Sequence, residues 1–353
     1  MRKSIRFGLL ALVSLAALAF AGSALATPSL LIVNPDGKLS GNGPTTVRYV
    51  QPDSDAPLAK LTIYVPLGYT GSLAHGIGDK IGKVTATIKA TALGGAIVPV
   101  AGDVVNDDPT KYTAPPANAC VPGLHEAVWL LNLSAAGQTL QVPVYADTIP
   151  AVSPESAFAA FKIQVCLPPP QTAQLGAQLL DATFSVTSTY VNPGTKGSFI
   201  WRGIVTPYTF GGVTPNAAGT VETQSIVTLP VSLTLAGKYD AKTRVVGVSG
   251  TLLEALNPIA GLPVRIFSGF SAKQVDVTGK ASARVKTDAL GTYKIARKIP
   301  KGFKGTLFAR ALVSRAARST PCVGTLPTVP GGCVAANFAP YDALSALIRV
   351  RIK

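Results

Sequence analysis

The chain has 353 residues, with 32 Lys and Arg against 17 Asp and Glu, and a formal net charge of +15. Hydrophobic residues at 47% are ample for cores, while charged residues reach only 14% and Thr, Val, Ser, Gly and Pro abound, which favours strands and turns over helices. Two His and four Cys without a Cys-x-x-Cys pair leave little material for a metal site, and no cofactor motif is present.

The N-terminus reads as an export signal. Arg2, Lys3 and Arg6 precede an apolar run from Gly8 to Phe20, and Ala24-Leu25-Ala26 is a small-x-small cleavage site before Thr27. Residues 1–26 are therefore expected to be removed. No Cys follows the run to carry a lipid, and no second apolar stretch approaches the ~20 residues that span a bilayer. The expected product is secreted, extracellular or cell-wall associated.

Short alternating runs then succeed one another from 27 to 227. Leu61–Val65, Val84–Ile88, Leu140–Val144 and Phe184–Ser188 alternate, and Ala127–Leu131, Phe161–Val165 and Phe199–Trp201 add further strands. Gly and Pro punctuate the gaps, the grammar of a sandwich or barrel. Ser153–Ala160 is the one predicted helix, with Ser to cap it and Pro in its first turn. The stretch Gly211–Gly219 marks the neighbourhood of a domain boundary, placed within about 211–240. The expected architecture is all-β, with an N-terminal β-sandwich of residues 27–227 and a C-terminal one of residues 228–353.

The second region holds a denser set of signals. Val245-Val-Gly-Val-Ser-Gly-Thr-Leu reads as a strand, Pro258-Ile-Ala-Gly-Leu-Pro-Val-Arg-Ile as a turn and a strand, and Asp276–Lys286 as a hairpin through Thr278-Gly279. Asp288-Ala-Leu-Gly291 is a type I turn leading into a strand at Tyr293. Gly305–Arg310 and Ile348–Ile352 follow as strands, the latter alternating apolar and basic residues. Taken in order, Gly250-Thr-Leu, Pro258 to Val264 and Thr287-Asp-x-x-Gly-x-Tyr293 resemble the carboxypeptidase-regulatory-like, or transthyretin-like, bacterial Ig-type fold over about residues 244–313. That resemblance implies a module of surface and secreted proteins that usually lacks catalytic residues. The N-terminal region resembles no family.

Four cysteines in an exported chain read as two disulfides, and three connectivities exist. Cys120–Cys166 and Cys322–Cys333 are favoured because each pair stays within one presumed domain. Charge is uneven. Residues 228–353 carry 19 Lys and Arg against 5 Asp and Glu, a net of +14, while 27–227 are near neutral. Between Asp288 and Asp342 there is no acid at all. Lys294, Arg297, Lys298, Lys301, Lys304, Arg310, Arg315 and Arg318 fall in that gap, and Arg349 and Arg351 follow it. These ten are the candidates for contact with a polyanion, set against a solvated basic surface. An anionic cell-wall polymer or acidic polysaccharide is the expected partner, and specific nucleic acid is not, since no DNA- or RNA-reading motif is present. Oligomeric state is not legible.

No catalytic constellation stands out. His75 and His125 lack a nucleophile elbow or a metal motif around them and read as structural. Asp103-Val-Val-Asn-Asp-Asp108 and Asp53-Ser-Asp55 hold oxygen ligands of the kind Ca²⁺ takes, but without the EF-hand pattern they read as polar loops. Trp129 and Trp201 sit in apolar strand patterns, where a sandwich core places Trp. The leading expectation is a non-enzymatic surface or secreted protein with a structural or adhesive role. The alternatives are a hydrolase with its site in the N-terminal domain and a carrier of a small apolar ligand.

Overall fold

A computed structural model describes residues 28–33, 37–117, 119–135, 138–170 and 177–353. The expected export signal lies outside the described residues. Strands β1 (Ser29–Val33), β2 (Thr45–Val50), β3 (Leu58–Pro66) and β4 (Thr70–Gly71) open the chain. The long hairpin of β5 (Lys80–Ala90) and β6 (Ala96–Asp107) follows, then β7 (Ala127–Ala135), β8 (Gln138–Thr148) and β9 (Ala159–Cys166). β10 (Ala177–Val186), β11 (Tyr190–Val191), β12 (Gly197–Pro207) and β13 (Val221–Leu229) complete the first region. The second region comprises β14 (Val231–Leu233), β15 (Ala236–Asp240), β16 (Val245–Glu254), β17 (Asn257–Pro258) and β18 (Pro263–Gly269). It continues with β19 (Ala283–Lys286), β20 (Thr292–Lys298), β21 (Gly305–Arg315), β22 (Arg318–Thr320), β23 (Cys333–Phe338), β24 (Tyr341–Leu344) and β25 (Ile348–Ile352). The all-β expectation holds.

Thirteen strands form one large sheet in the order β1-β2-β10-β5-β6-β7-β8-β9-β3-β12-β13-β23-β22. It wraps a single core in which Trp129 and Trp201 are wholly buried, with Leu30, Ile32, Val65, Phe161 and Tyr190 around them. β1 returns against the far side of the sheet. Its Leu30 N–H donates to Thr223 Oγ1 at 3.2 Å and its Ile32 N–H to Ser225 Oγ at 2.9 Å. The edge of β1 is thus satisfied by β13 side chains where a backbone ladder would otherwise be needed. Gly203 makes the approach possible: a Cβ there would lie 3.2 Å from the Leu30 Cδ2 and 3.0 Å from the Thr223 Cγ2.

The chain leaves the large sheet at Leu229 and enters β14 at Val231 through the cis Leu229–Pro230 bond. Two five-stranded sheets follow. β16 pairs with β14, β15, β17 and β20 in one; β18 pairs with β19 and β21, and β21 with β24 and β25, in the other. Leu252, Val264, Ile266, Tyr293, Ala311 and Val313 pack between them, and Val246, Val248, Leu307 and Val350 extend the core. The residues of the family resemblance meet here. Gly250 and Tyr293 are direct cross-strand partners, and the Tyr293 hydroxyl donates to the Thr234 carbonyl. A Cβ on Gly250 would collide with that carbonyl and lie 2.5 Å from the Tyr293 hydroxyl. The Asp288–Gly291 turn forms as read, with Gly291 N–H on Asp288 O at 2.9 Å and Gly291 at φ 68°.

The connection from β21 to β24 departs from this two-sheet plan. After Arg315 the chain crosses to the large sheet, adds β22 and β23, with β23 parallel to β13, and returns at Tyr341. Other local expectations change as well. Ser153–Ala160 is not a helix: Pro154–Ala157 make one 3-10 turn, the Ser153 Oγ accepts from Glu155 N–H at 3.3 Å, and β9 begins at Ala159. The pull of Ala159, Phe161 and Ile163 into the core outweighs the capping signal. Gly211–Gly219 is the connection between β12 and β13 within the large sheet. Asp276 does cap a turn over Thr278 and Gly279, but only Ala283–Lys286 pair as a strand there.

Candidate functional site

Both cysteine pairs are disulfides, Cys120–Cys166 and Cys322–Cys333, with Cα atoms 6.4 and 6.2 Å apart. The first ties the 108–126 connection over the outside of β7 and β8, where Val121, Val128 and Tyr145 make a small separate core. The second closes the base of the loop that lies on β12 and β13.

That loop covers an unusual buried group. On β13, Glu222 and Gln224 are wholly buried and point away from the main core. Arg202 donates to Glu222, Leu326 N–H donates to Glu222 Oε2 at 2.9 Å, and Val323 N–H donates to Gln224 Oε1 at 2.9 Å. Arg202 also donates to the Gly324 carbonyl at 2.7 Å. At the root of the same excursion, Glu254 receives Arg315 and the Tyr341 hydroxyl, the latter at 2.5 Å, with Arg318 3.9 Å away. Burial, then the Glu254 contact, raises the Tyr341 phenol above its ordinary range. Two buried carboxylates, one from each region, therefore hold the crossing segment at both ends. Alternation alone flags Glu222 and Glu254 only as polar strand residues.

The ten cationic candidates do not form one patch. Arg315 and Arg318 are taken up at Glu254. Lys294 and Lys298 share the outward face of β20, where cross-strand partners Ser249 and Val245 point the same way. Arg297 turns to the other side, donating to Ser268 Oγ at 2.8 Å with its guanidinium 5.4 Å from the Phe270 ring. Lys301 and Lys304 lie on the β20–β21 connection. Arg310, Arg349 and Arg351 lie on the outward face of the opposite sheet. Sequence reading missed Lys238, Arg265, Arg284 and Lys286, which join these two faces. The signal was present in the period-two alternation of Pro263-Val-Arg-Ile and Ala283-Arg-Val-Lys.

The residues singled out for other chemistry are engaged structurally. Asp103 sits on β6, not in a loop, and takes Lys80 at 2.6 Å, which lowers its carboxyl below the ordinary range. Asp107 ends the same strand and takes Lys111 at 2.6 Å and the Tyr112 hydroxyl at 2.8 Å. Asp108 caps the turn that follows, and Asp53 pairs with Lys89 at 2.7 Å. No group of three or more metal-ligating side chains converges among the described residues. His125 meets Asp147 Oδ2 through Nδ1 at 3.0 Å, and its Nε2 is held by the Val121 carbonyl at 3.0 Å, so both ring nitrogens are engaged. His75 Nε2 lies 3.2 Å from Thr189 Oγ1. Trp129 and Trp201 are core residues, as expected.

No protein-family model matches the chain, and no curated protein matches it either. Among solved structures, the D0–D1 domains of intimin are 8% identical, cover 93% of this chain and 99% of their own, and superpose at a TM-score of 0.20. Domains D2 and D3 of the major pilin SpaD from Corynebacterium diphtheriae are 11% identical, with coverages of 92% and 98% and a TM-score of 0.24. A β-glucuronidase from Bacteroides uniformis is 9% identical over 90% of this chain and 28% of its own, at a TM-score of 0.21. No helix among the described residues is long and apolar enough to cross a membrane.

Proposed function

We propose that this chain is an exported, non-enzymatic structural or adhesive protein whose basic C-terminal sandwich contacts anionic polymers of the cell surface or medium. The observation that carries the reading is how the ionisable groups are used. Buried ones, Arg202 with Glu222 and Arg315 with Glu254, join the crossing segment to the two regions. Most cations of the C-terminal sheets instead point outward and form no ion pair among the described residues. Such a field attracts polyanions over roughly a Debye length of 10 Å at 0.1 M salt. Two disulfides support an oxidising compartment. The carboxypeptidase-regulatory-like resemblance fits the same role, carried by the Gly250–Tyr293 pairing.

A hydrolase would require Asp103, Asp107 or His125 to converge with a second acid and a nucleophile. His125 does meet Asp147, but its Nε2 is taken by the Val121 carbonyl, while Asp103 and Asp107 pair with Lys80 and Lys111. A carrier would need open space between the layers, where Trp129, Trp201, Phe161 and Tyr190 pack instead. The test is retention of the mature protein on immobilised polygalacturonate and poly(glycerol phosphate), with neutral dextran as control, over a salt series. Retention at low salt that falls steeply with added salt is expected. Absence of retention at low salt, or retention indifferent to salt, overturns the reading.

A further inference from the structure

The C-terminal sandwich presents two outward faces, and both are cationic. On the β15–β16–β20 face the cations are Lys238, Lys294 and Lys298, around an open trough of about 570 Å³ floored by Gly247. On the opposite face, formed by β19, β18, β21, β24 and β25, the register places Lys286, Arg284, Arg265, Arg310, Arg349 and Arg351 on one side.

Resting on the polyanion reading, we infer that this arginine face is the binding platform and that its ligand is a carboxylate-bearing polysaccharide. Arg265 and Arg284 are directly opposed across β18 and β19. Like charges in that position repel and destabilise a sheet. None of the six cations forms an ion pair among the described residues. The only acid these five strands contribute is Asp342, opposite Ser314. Arg265 Nη2 donates to Ser314 Oγ at 2.8 Å, but no carboxylate neutralises the opposed pair, and a local rule broken without charge compensation marks a surface kept for something outside the fold.

A second observation lies at the edge of the face. Arg310 lines a cleft of about 640 Å³ with Lys38, Asp342, Leu344 and Ser345. Its Nε is buried and has no hydrogen-bond partner among the described residues. A buried donor without an acceptor is costly, and an incoming carboxylate oxygen would relieve it.

The chemistry of the side chains selects the ligand. Five of the six cations are guanidinium groups, which grip planar carboxylates through paired N–H bonds, whereas the cations of the other face are ammonium groups that share it with the Asp240 carboxylate. Neighbouring strands repeat at about 4.8 Å, a spacing comparable to one sugar ring, so successive uronate carboxylates can meet successive strands. Single-stranded nucleic acid needs exposed aromatic rings to stack its bases. Here Phe267 is buried, and the Arg349 guanidinium lies 5.7 Å from the centre of the half-buried Phe308 ring.

The test measures binding of the mature protein to polygalacturonate across a salt series. It compares Arg265→Gln/Arg284→Gln, Arg349→Gln/Arg351→Gln and the control Lys238→Gln/Lys294→Gln/Lys298→Gln. Each arginine pair is expected to weaken binding about tenfold at low salt and to flatten the salt slope by one to two. The lysine triple variant is expected to stay within about threefold of the parent. Arg265→Gln/Arg284→Gln should melt no lower than the parent, which separates lost binding from lost folding. Binding lost in the lysine variant and kept in the arginine variants overturns this face while leaving the polyanion reading intact. Tighter, arginine-dependent binding to an oligodeoxynucleotide or to anionic lipid vesicles overturns the ligand class. No polygalacturonate binding by the parent, with poly(glycerol phosphate) still retained, also overturns the ligand class; failure on both polymers sinks both proposals.

Discussion

Arg202 on β12 and Glu222 on β13 form an ion pair one diagonal step apart in the ladder, and the 322–333 loop seals it from solvent. Glu222 also receives Leu326 N–H, so one carboxylate joins a strand of the large sheet to a segment inserted between β21 and β24. A pair of this kind, with Glu222 wholly buried and Arg202 largely so, is weak evidence of net stabilisation, but removing one partner strands the other. Glu222→Ala is expected to destabilise the protein by about 3–5 kcal/mol, read as a lowered urea midpoint. A midpoint unchanged from the parent would show that the pair is not closed in solution.

The Gly250–Tyr293 pairing makes a second prediction. Tyr293→Phe removes one buried hydrogen bond to the Thr234 carbonyl and should cost about 1–3 kcal/mol. Gly250→Ala should cost more, because its Cβ meets both that carbonyl and the phenol. Equilibrium denaturation of the two variants checks the order. A well-tolerated alanine would mean that the strands do not approach this closely.

The disulfides differ in what they constrain. Cys120 and Cys166 are 46 residues apart, and Cys322 and Cys333 are 11 apart. Chain-entropy reasoning assigns about 4 and about 3 kcal/mol respectively. Paired Cys→Ser variants, compared by thermal melting, should follow that order. Loss of the second bridge should also open the 322–333 loop to limited proteolysis before the rest of the chain.

Acid should weaken the N-terminal region through two carboxylates. Burial pushes Asp107 up, but hydrogen bonds from Lys111, the Asp108 N–H and Tyr112 outweigh it and hold the group below its ordinary 3.8. Burial likewise opposes, and Tyr64 and Lys162 overcome it, at Glu155, which falls below 4.5. A depressed folded value favours the folded state fully above the unfolded value and loses that contribution as pH falls through the folded one. Melting temperature should therefore vary little from these two groups above about pH 5 and decline below it, less steeply in Asp107→Asn/Glu155→Gln. An equally steep decline in that variant would assign acid sensitivity to other groups.

Legibility followed how local the cause was. Leu61–Val65, Val84–Ile88 and Ile348–Ile352 announce themselves by alternation and appear as parts of β3, β5 and β25. β13 was hidden because both of its faces are buried, so Val221-Glu-Thr-Gln-Ser-Ile carries polar residues on an inner position and an outer one alike. The Ser153 cap was read correctly as a cap, yet a 3-10 turn was enough to use it. The acidic stretch at 103–108 looked like a loop because its lysine partners, Lys80 and Lys111, are set by strand pairing and by the next turn.

By itself the sequence determined the all-β composition, most strand positions, the even number of cysteines and the concentration of positive charge after residue 228. These depend on local periodicity and on counts. The structure selected Cys120–Cys166 and Cys322–Cys333 from three possible connectivities. Tertiary structure alone decided that residues 318–338 cross back to the large sheet, that Glu222 and Glu254 are buried there, and that the cations divide between two opposite faces. Register and chain crossing arise from contacts between residues as far apart as Ser29 and Asn337, and no local pattern encodes which distant strand satisfies a given edge.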